Sequence, residues 1–131
     1  MVAADLKADI LVELRQYREA ISIYKKEIDD QPDDAGALAS LVRAAILAGD
    51  RATSDAALTQ FKKLAASKPI NPSAAAIVQL ALGNHDSAVE QLQEGFRQRY
   101  WPLIFLKVSP LWDALRGRPA FENLLRAMNL A

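Results

Sequence analysis

The stretch Tyr17-Arg18-Glu19-Ala20-Ile21-Ser22-Ile23-Tyr24, followed by Ile28 and then Pro32, constrains this chain more than any other segment. Ala20, Tyr24 and Ile28 recur every fourth residue and so share one face of a helix. Ala20 is small enough to let a neighbouring helix approach closely, and Pro32 ends the unit. The stretch reads as the second helix, about Tyr17 to Asp30, of a helix–turn–helix pair. The first helix carries Leu6, Ile10 and Leu14 on one face, with Leu11 beside them and Ala8 as the small contact residue. A turn near Arg15-Gln16 joins the two. Each helix is apolar on one side only, so two stacked layers are expected.

The same arrangement returns twice. Asp33 or Asp34 is placed to cap a helix over about Ala35 to Ala48, which carries Leu38, Leu41, Val42, Ala45 and Ile46 and has Gly49-Asp50 as its stop. Thr53 or Ser54 is the expected cap of its partner helix, which turns Ala57, Leu58, Phe61, Leu64 and Ala65 inward before Pro69. The interval from Pro32 to Pro69 places extra residues in the Gly49–Ser54 turn or in the tail of that helix. A third, weaker unit has a short helix over 74–82 capped by Ser73, then Gly83, a cap at Asp86 or Ser87, and Ala88, Leu92 and Phe96 inward. Beyond Tyr100 the texture changes. Pro110–Arg116 reads as a short helix stopped by Gly117, and Pro119–Met128 as a final amphipathic helix suited to covering the apolar end of the stack.

These features resemble the tetratricopeptide repeat, whose period is about 34 residues. The tail resembles the closing segment of bacterial tetratricopeptide arrays joined to nucleotide cyclases, winged-helix regulators or kinases. The matching residues are Leu106-Lys107, Pro110, Asp113, Leu115-Arg116, Pro119, Phe121 and Leu124-Leu125; Ser109 and Arg118 stand where an acidic residue is usual before each proline. The resemblance implies an all-α, right-handed α-solenoid in a single domain over 1–131. Its repeats would span about 2–34, 35–69 and 70–100, with a C-terminal cap over 101–131. It also implies a bacterial, cytoplasmic protein–protein interaction scaffold that is not an enzyme and uses no cofactor. Helical periodicity begins almost at Met1, which leaves open whether the chain is the C-terminal piece of a longer protein.

Composition narrows the alternatives. Sixteen basic and sixteen acidic side chains balance, so global charge makes no case for nucleic acid or an anionic membrane. The charge is uneven: residues 1–34 hold nine acidic and five basic side chains, and residues 97–131 hold two and six. With no cysteine, neither a disulfide framework nor a thiolate metal site is available. No apolar run reaches the roughly 20 residues of a membrane span, and the N-terminus lacks a secretory signal pattern. His85, the single histidine, reads as an exposed turn residue. The cluster Asp29, Asp30, Asp33 and Asp34 lacks the Gly and Glu that a calcium loop needs at its sixth and twelfth positions, where Asp34 and Ser40 stand. Tyr100, Trp101, Phe105 and Trp112 among basic residues have spacings that suit packing of a cap.

By the same resemblance, the first helix of each pair lines a concave groove. Carried over by position, this gives Asp5, Asp9, Val12 and Glu13, then Ala39, Arg43, Ile46 and Leu47, then Ile77, Leu80 and Ala81. Relatives that hold chaperone C-terminal carboxylates use cations in the groove; Asp5 and Asp9 would repel such a tail. The expected partner is a peptide or helix with apolar anchors and a basic residue. The alternative is a self-association module of a longer regulator, forming a homo-oligomer.

Overall fold

The computed structural model describes residues 4–99 and 110–128, and every regular element among them is helical. In chain order these are α1 (Ala4–Glu13), α2 (Tyr17–Asp30), α3 (Ala35–Ala48), α4 (Arg51–Ser67), α5 (Pro72–Ala81), α6 (His85–Arg97), a 3-10 helix (Pro110–Leu115) and α7 (Pro119–Ala127). The all-α class is as expected, and α2 and α3 have the bounds that periodicity places on them. The short helix read over 110–116 is a 3-10 helix over Pro110–Leu115.

One turn sets the register. Arg15, Gly49 and Gly83 all adopt left-handed backbone, with φ of 62°, 74° and 82°. After each, the next N–H reaches back to the helix it has just left: Gln16 to the Leu11 carbonyl at 2.8 Å, Asp50 to Ala45 at 2.9 Å and Asn84 to Gln79 at 2.9 Å. This is the Schellman closure, which satisfies carbonyls that a helix end leaves without partners. The following helices therefore start in phase, at Tyr17, Arg51 and His85, and α7 keeps the phase at Pro119 behind the left-handed Gly117. Successive starts are 34 residues apart (17 to 51, 51 to 85, 85 to 119). The phase thus runs beyond residue 100 into the tail.

Three helix starts are held by side-chain caps. Asp34 accepts from the Ala37 N–H at 3.0 Å, Asp50 from Thr53 at 3.1 Å and Asn71 from Ala74 at 2.8 Å. The expected caps at Thr53 or Ser54, at Ser73 and at Asp86 or Ser87 are corrected. The turn delivers Asp50 directly to the α4 start, where Thr53 becomes its donor through both N–H and hydroxyl. Pro72 fills the first position of α5, where its missing N–H costs nothing, so the cap is Asn71 before it. Asn84 precedes α6 without a side-chain cap bond.

Packing centres on α3, which contacts α1, α2, α4 and α5. Ala20, Leu38, Val42, Ala44 and Ala45 are fully buried, with Tyr24 between them. α5 packs on α6 and, on its other side, on α3. The extra residues of this unit lengthen α4, which runs to Ser67, and leave the Gly49 turn short. In α1 the inward residues are Ala8, Leu11 and Val12, whereas Ile10 and Leu14 are exposed, which reverses their expected orientation. Ala65 and Phe96 also point outward. A second cluster joins Ala76, Ala88, Val89 and Leu92 to Trp112, Leu115, Phe121, Leu124 and Leu125, so the tail covers α5 and α6. Trp101 and Phe105 of the expected cap lie outside the described residues.

Two predictions follow from register and packing. Arg15→Gly should stabilise the fold and Gly49→Ala destabilise it, each by roughly 1 kcal/mol, because only glycine adopts left-handed backbone without a Cβ clash. Urea unfolding followed by circular dichroism measures both, and equal effects of the same sign would break the equivalence of the two turns. Phe121→Ala should cost about 3–5 kcal/mol, the range for a fully buried aromatic. A loss under about 1 kcal/mol in the same assay would show the tail to be an appendage.

Candidate functional site

Although α3 is covered on most sides, one stripe along it stays accessible. Gly36, Ser40, Arg43 and Leu47 follow one another at helical spacing, with Ile46 beside Leu47. This stripe borders two depressions in succession. The first, of about 220 Å³, lies toward the N-terminal ends of α3 and α5 and is lined by Asp9, Tyr24, Glu27, Asp34, Ser40, Asn71, Ser73 and Ile77, among others. The second, of about 310 Å³, lies toward their C-terminal ends and is lined by Arg43, Ile46, Leu47, Leu80, Ala81, His85, Leu111 and Ala114.

The first depression is lined mostly by polar residues. The Tyr24 hydroxyl donates to the Asp9 carboxylate. Burial, and then the neighbouring carboxylate, pushes the Tyr24 phenol well above its ordinary pKa, while Ser40 and Arg43 oppose the shift. Tyr24 thus ties α2 to α1 beneath the surface that Asp9 presents. Asp34 lines this depression while its side chain also caps α3. Among its described lining residues there is no Lys, Arg or His.

The second depression is lined mostly by aliphatic side chains, with Arg43 and His85 at its edges. Ile46 and Leu47, two adjacent large aliphatic side chains, are 37% and 47% exposed. Arg43 reaches across to Glu13 of α1 at 3.3 Å, and only 21% of its side chain is exposed. His85 forms the opposite edge. Its Nδ1 lies 2.7 Å from the Arg118 guanidinium, which can only donate, so Nδ1 accepts and the ring proton sits on Nε2. Arg118 also approaches Asp86 at 3.5 Å, pinning the start of α7 to the start of α6.

The structure distributes the expected groove residues unevenly. Asp9 and Ile77 line the first depression, and Arg43, Ile46 and Leu47 the second. Glu13 reaches the second through Arg43. Val12 is a correction: it is 3% exposed in the core, because α1 turns its Ala8, Leu11 and Val12 side toward α2 and α3. Ala39 is likewise fully buried. Asp5 lies on α1, and its side chain falls outside the described residues.

Leu111, Ala114 and His85 are lining residues that the sequence reading did not place in the groove, and His85 is a half-buried helix start, not an exposed turn. A signal for them existed. Asp9, Arg43, Ile77 and Leu111 stand at the same distance ahead of Arg15, Gly49, Gly83 and Gly117, so the tail continues the row begun by α1.

No group of His, Asp and Glu among the described residues is arranged to hold a metal ion, and no described helix is long and apolar enough to cross a membrane. Comparison with protein-family models, curated proteins and solved structures gives no match, and the geometry of the two depressions carries the functional reading.

Tyr24 sets a pH dependence. Its folded pKa is raised above the value near 10 of an unfolded tyrosine, so its contribution is fully present below about pH 10. Above that pH the unfolded chain releases a proton that the folded chain retains, and stability falls. Wild-type protein should therefore lose stability more steeply than Tyr24→Phe between pH 9 and 11, as measured by urea unfolding at each pH. Parallel curves would place the phenol in a less buried setting.

Proposed function

We propose that this chain is a protein-interaction module of the tetratricopeptide kind, a right-handed stack of helix pairs closed by its tail. On this reading it binds a peptide or helix of a partner protein on the face shared by α1, α3 and α5, as the regulatory or interaction part of a bacterial, cytoplasmic protein. It performs no chemistry of its own. The observation that carries this reading is the cavity of about 310 Å³ flanked by the exposed Ile46 and Leu47. Folding leaves these two aliphatic side chains half in water beside a recess also walled by Leu80 and Leu111, and a partner's apolar side chain would remove that surface from water. The constant spacing of the turns supports the repeat assignment.

Self-association is the second reading, favoured by the outer face of α1. Ile10 is 49% and Leu14 61% exposed, whereas Ala44 and Val78, the equivalents of Ile10 in the next two units, are buried. Light scattering over a concentration series separates the readings, since Ile10→Lys would abolish association through α1 and leave partner binding intact.

The test of the first reading uses Leu47→Ala, which should unfold at nearly the wild-type midpoint because the side chain is half exposed. Against a partner purified by affinity capture with wild-type protein, it should raise the dissociation rate about tenfold or more, as loss of a buried anchor does. Surface plasmon resonance measures this. Unaltered kinetics in Leu47→Ala and Ile46→Ala would move the site to another face.

A further inference from the structure

The recess lined by residues of α3, α5, α6 and the 3-10 helix has side chains that donate hydrogen bonds and none left to accept them. Resting on the interaction reading above, we propose that it takes a partner's large apolar side chain together with an adjacent carboxylate, which accepts from the His85 Nε2–H.

The donor-only character comes from the chemistry of the lining. Six of the eight lining residues are Ile, Leu or Ala, so the side-chain polarity rests on Arg43 and His85 alone. A guanidinium has no acceptor. A neutral imidazole has one, and here it is taken, because Nδ1 faces the Arg118 guanidinium at 2.7 Å. His85 is left with its Nε2–H, and among the described residues no group of the chain accepts from it. A ligand that enters this recess meets donors only.

The histidine donor is positioned before a ligand arrives. Arg118 approaches Asp86 at 3.5 Å as well as His85, which holds the ring between the starts of α6 and α7. His85 is itself the first residue of α6, two residues after the left-handed Gly83. Such a donor excludes as much as it attracts. An apolar group closing over Nε2–H removes its water and supplies no bond in return, which penalises a partner that lacks an acceptor. Leu47, Leu80 and Leu111 then supply apolar contact, and His85 supplies selectivity.

The acceptor is a carboxylate because the other polar edge is a cation and the lining contains no Asp or Glu to repel one. Arg43 directs one Nη2 bond to Glu13 at 3.3 Å, and a guanidinium carries five N–H groups. At about 310 Å³ the recess is near the lower end of ligand pockets, which run from roughly 300 to 1,000 Å³. That size suits two neighbouring side chains of a partner. The residue beside the apolar anchor is therefore acidic, where Asp5 and Asp9 led to the expectation of a basic one.

The test uses a displayed library of randomised peptides selected against the full chain. Enriched peptides are then synthesised with a fluorophore and titrated by anisotropy. The expected result is Asp or Glu adjacent to, or one helical turn from, Leu, Ile, Phe or Met. Replacing that acidic residue by Leu should weaken binding about tenfold, and His85→Phe should weaken the original peptide by a similar factor. The two changes should not add: against the Leu-substituted peptide, His85→Phe should alter affinity less than about twofold. A role of His85 in merely holding the tail would weaken both peptides alike. Leu47→Asp should abolish binding, with circular dichroism confirming folded variants.

Peptides that lose binding to Leu47→Asp but show no acidic preference, or for which the two changes add, overturn this inference and leave the interaction reading standing. Peptides indifferent to Leu47→Asp, or no enrichment at all, overturn both.

Discussion

The close approach of helices at alanine is the constraint on which the rest of this structure depends. α3 buries Ala37, Ala39, Ala44 and Ala45 together with Leu38, Leu41 and Val42, and so accepts neighbours on several sides at once. Small residues bring helix axes toward the short end of the usual 8–10 Å range, which leaves little room for adjustment. Ala20 plays the same part in α2 and Ala88 in α6. Once α3 is enclosed, most of what it presents to solvent lies on one narrow stripe. The site is what remains after the core has been satisfied.

Much of this was legible in the chain. The bounds of α2 and α3, the inward Ala20–Tyr24–Ile28 face and the stop at Gly49 follow from helical period and turn chemistry. The phase of α1 does not. Leu6, Ile10, Leu11, Val12 and Leu14 cover more than one face of a short helix, and the side on which α2 and α3 pack decides which face is buried. Val12 was lost from the groove for that reason. Caps were ambiguous in a different way: Asp50, Thr53 and Ser54 all have suitable oxygens, and the left-handed residue before Asp50 selects among them.

The C-terminal lining was missed because the tail was read as a cover alone. Gly117 and Pro119 stand one period after Gly83 and His85, and this equivalence places Leu111 and Ala114 in line with Ile77 and Leu80. The tail's spacing was visible from its glycine and proline. Its membership in the row that lines the depression required knowing that Leu111 and Ala114 of the 3-10 helix come beside Leu47 and Leu80, which no local rule dictates.

α5 sends residues in two directions. Ala74 and Val78 belong to the core built around α3, Ala76 belongs to the core built around the tail, and Ile77 packs against both. A helix of ten residues is therefore the main mechanical joint between two apolar clusters. Opening energies within a protein differ from region to region, and a thin joint of this sort is where two halves can come apart separately. A ligand over Leu47, Leu80 and Leu111 would bridge that joint from outside. Its occupancy would then be felt as a change in the sharpness of unfolding, with two loosely linked halves made to melt as one.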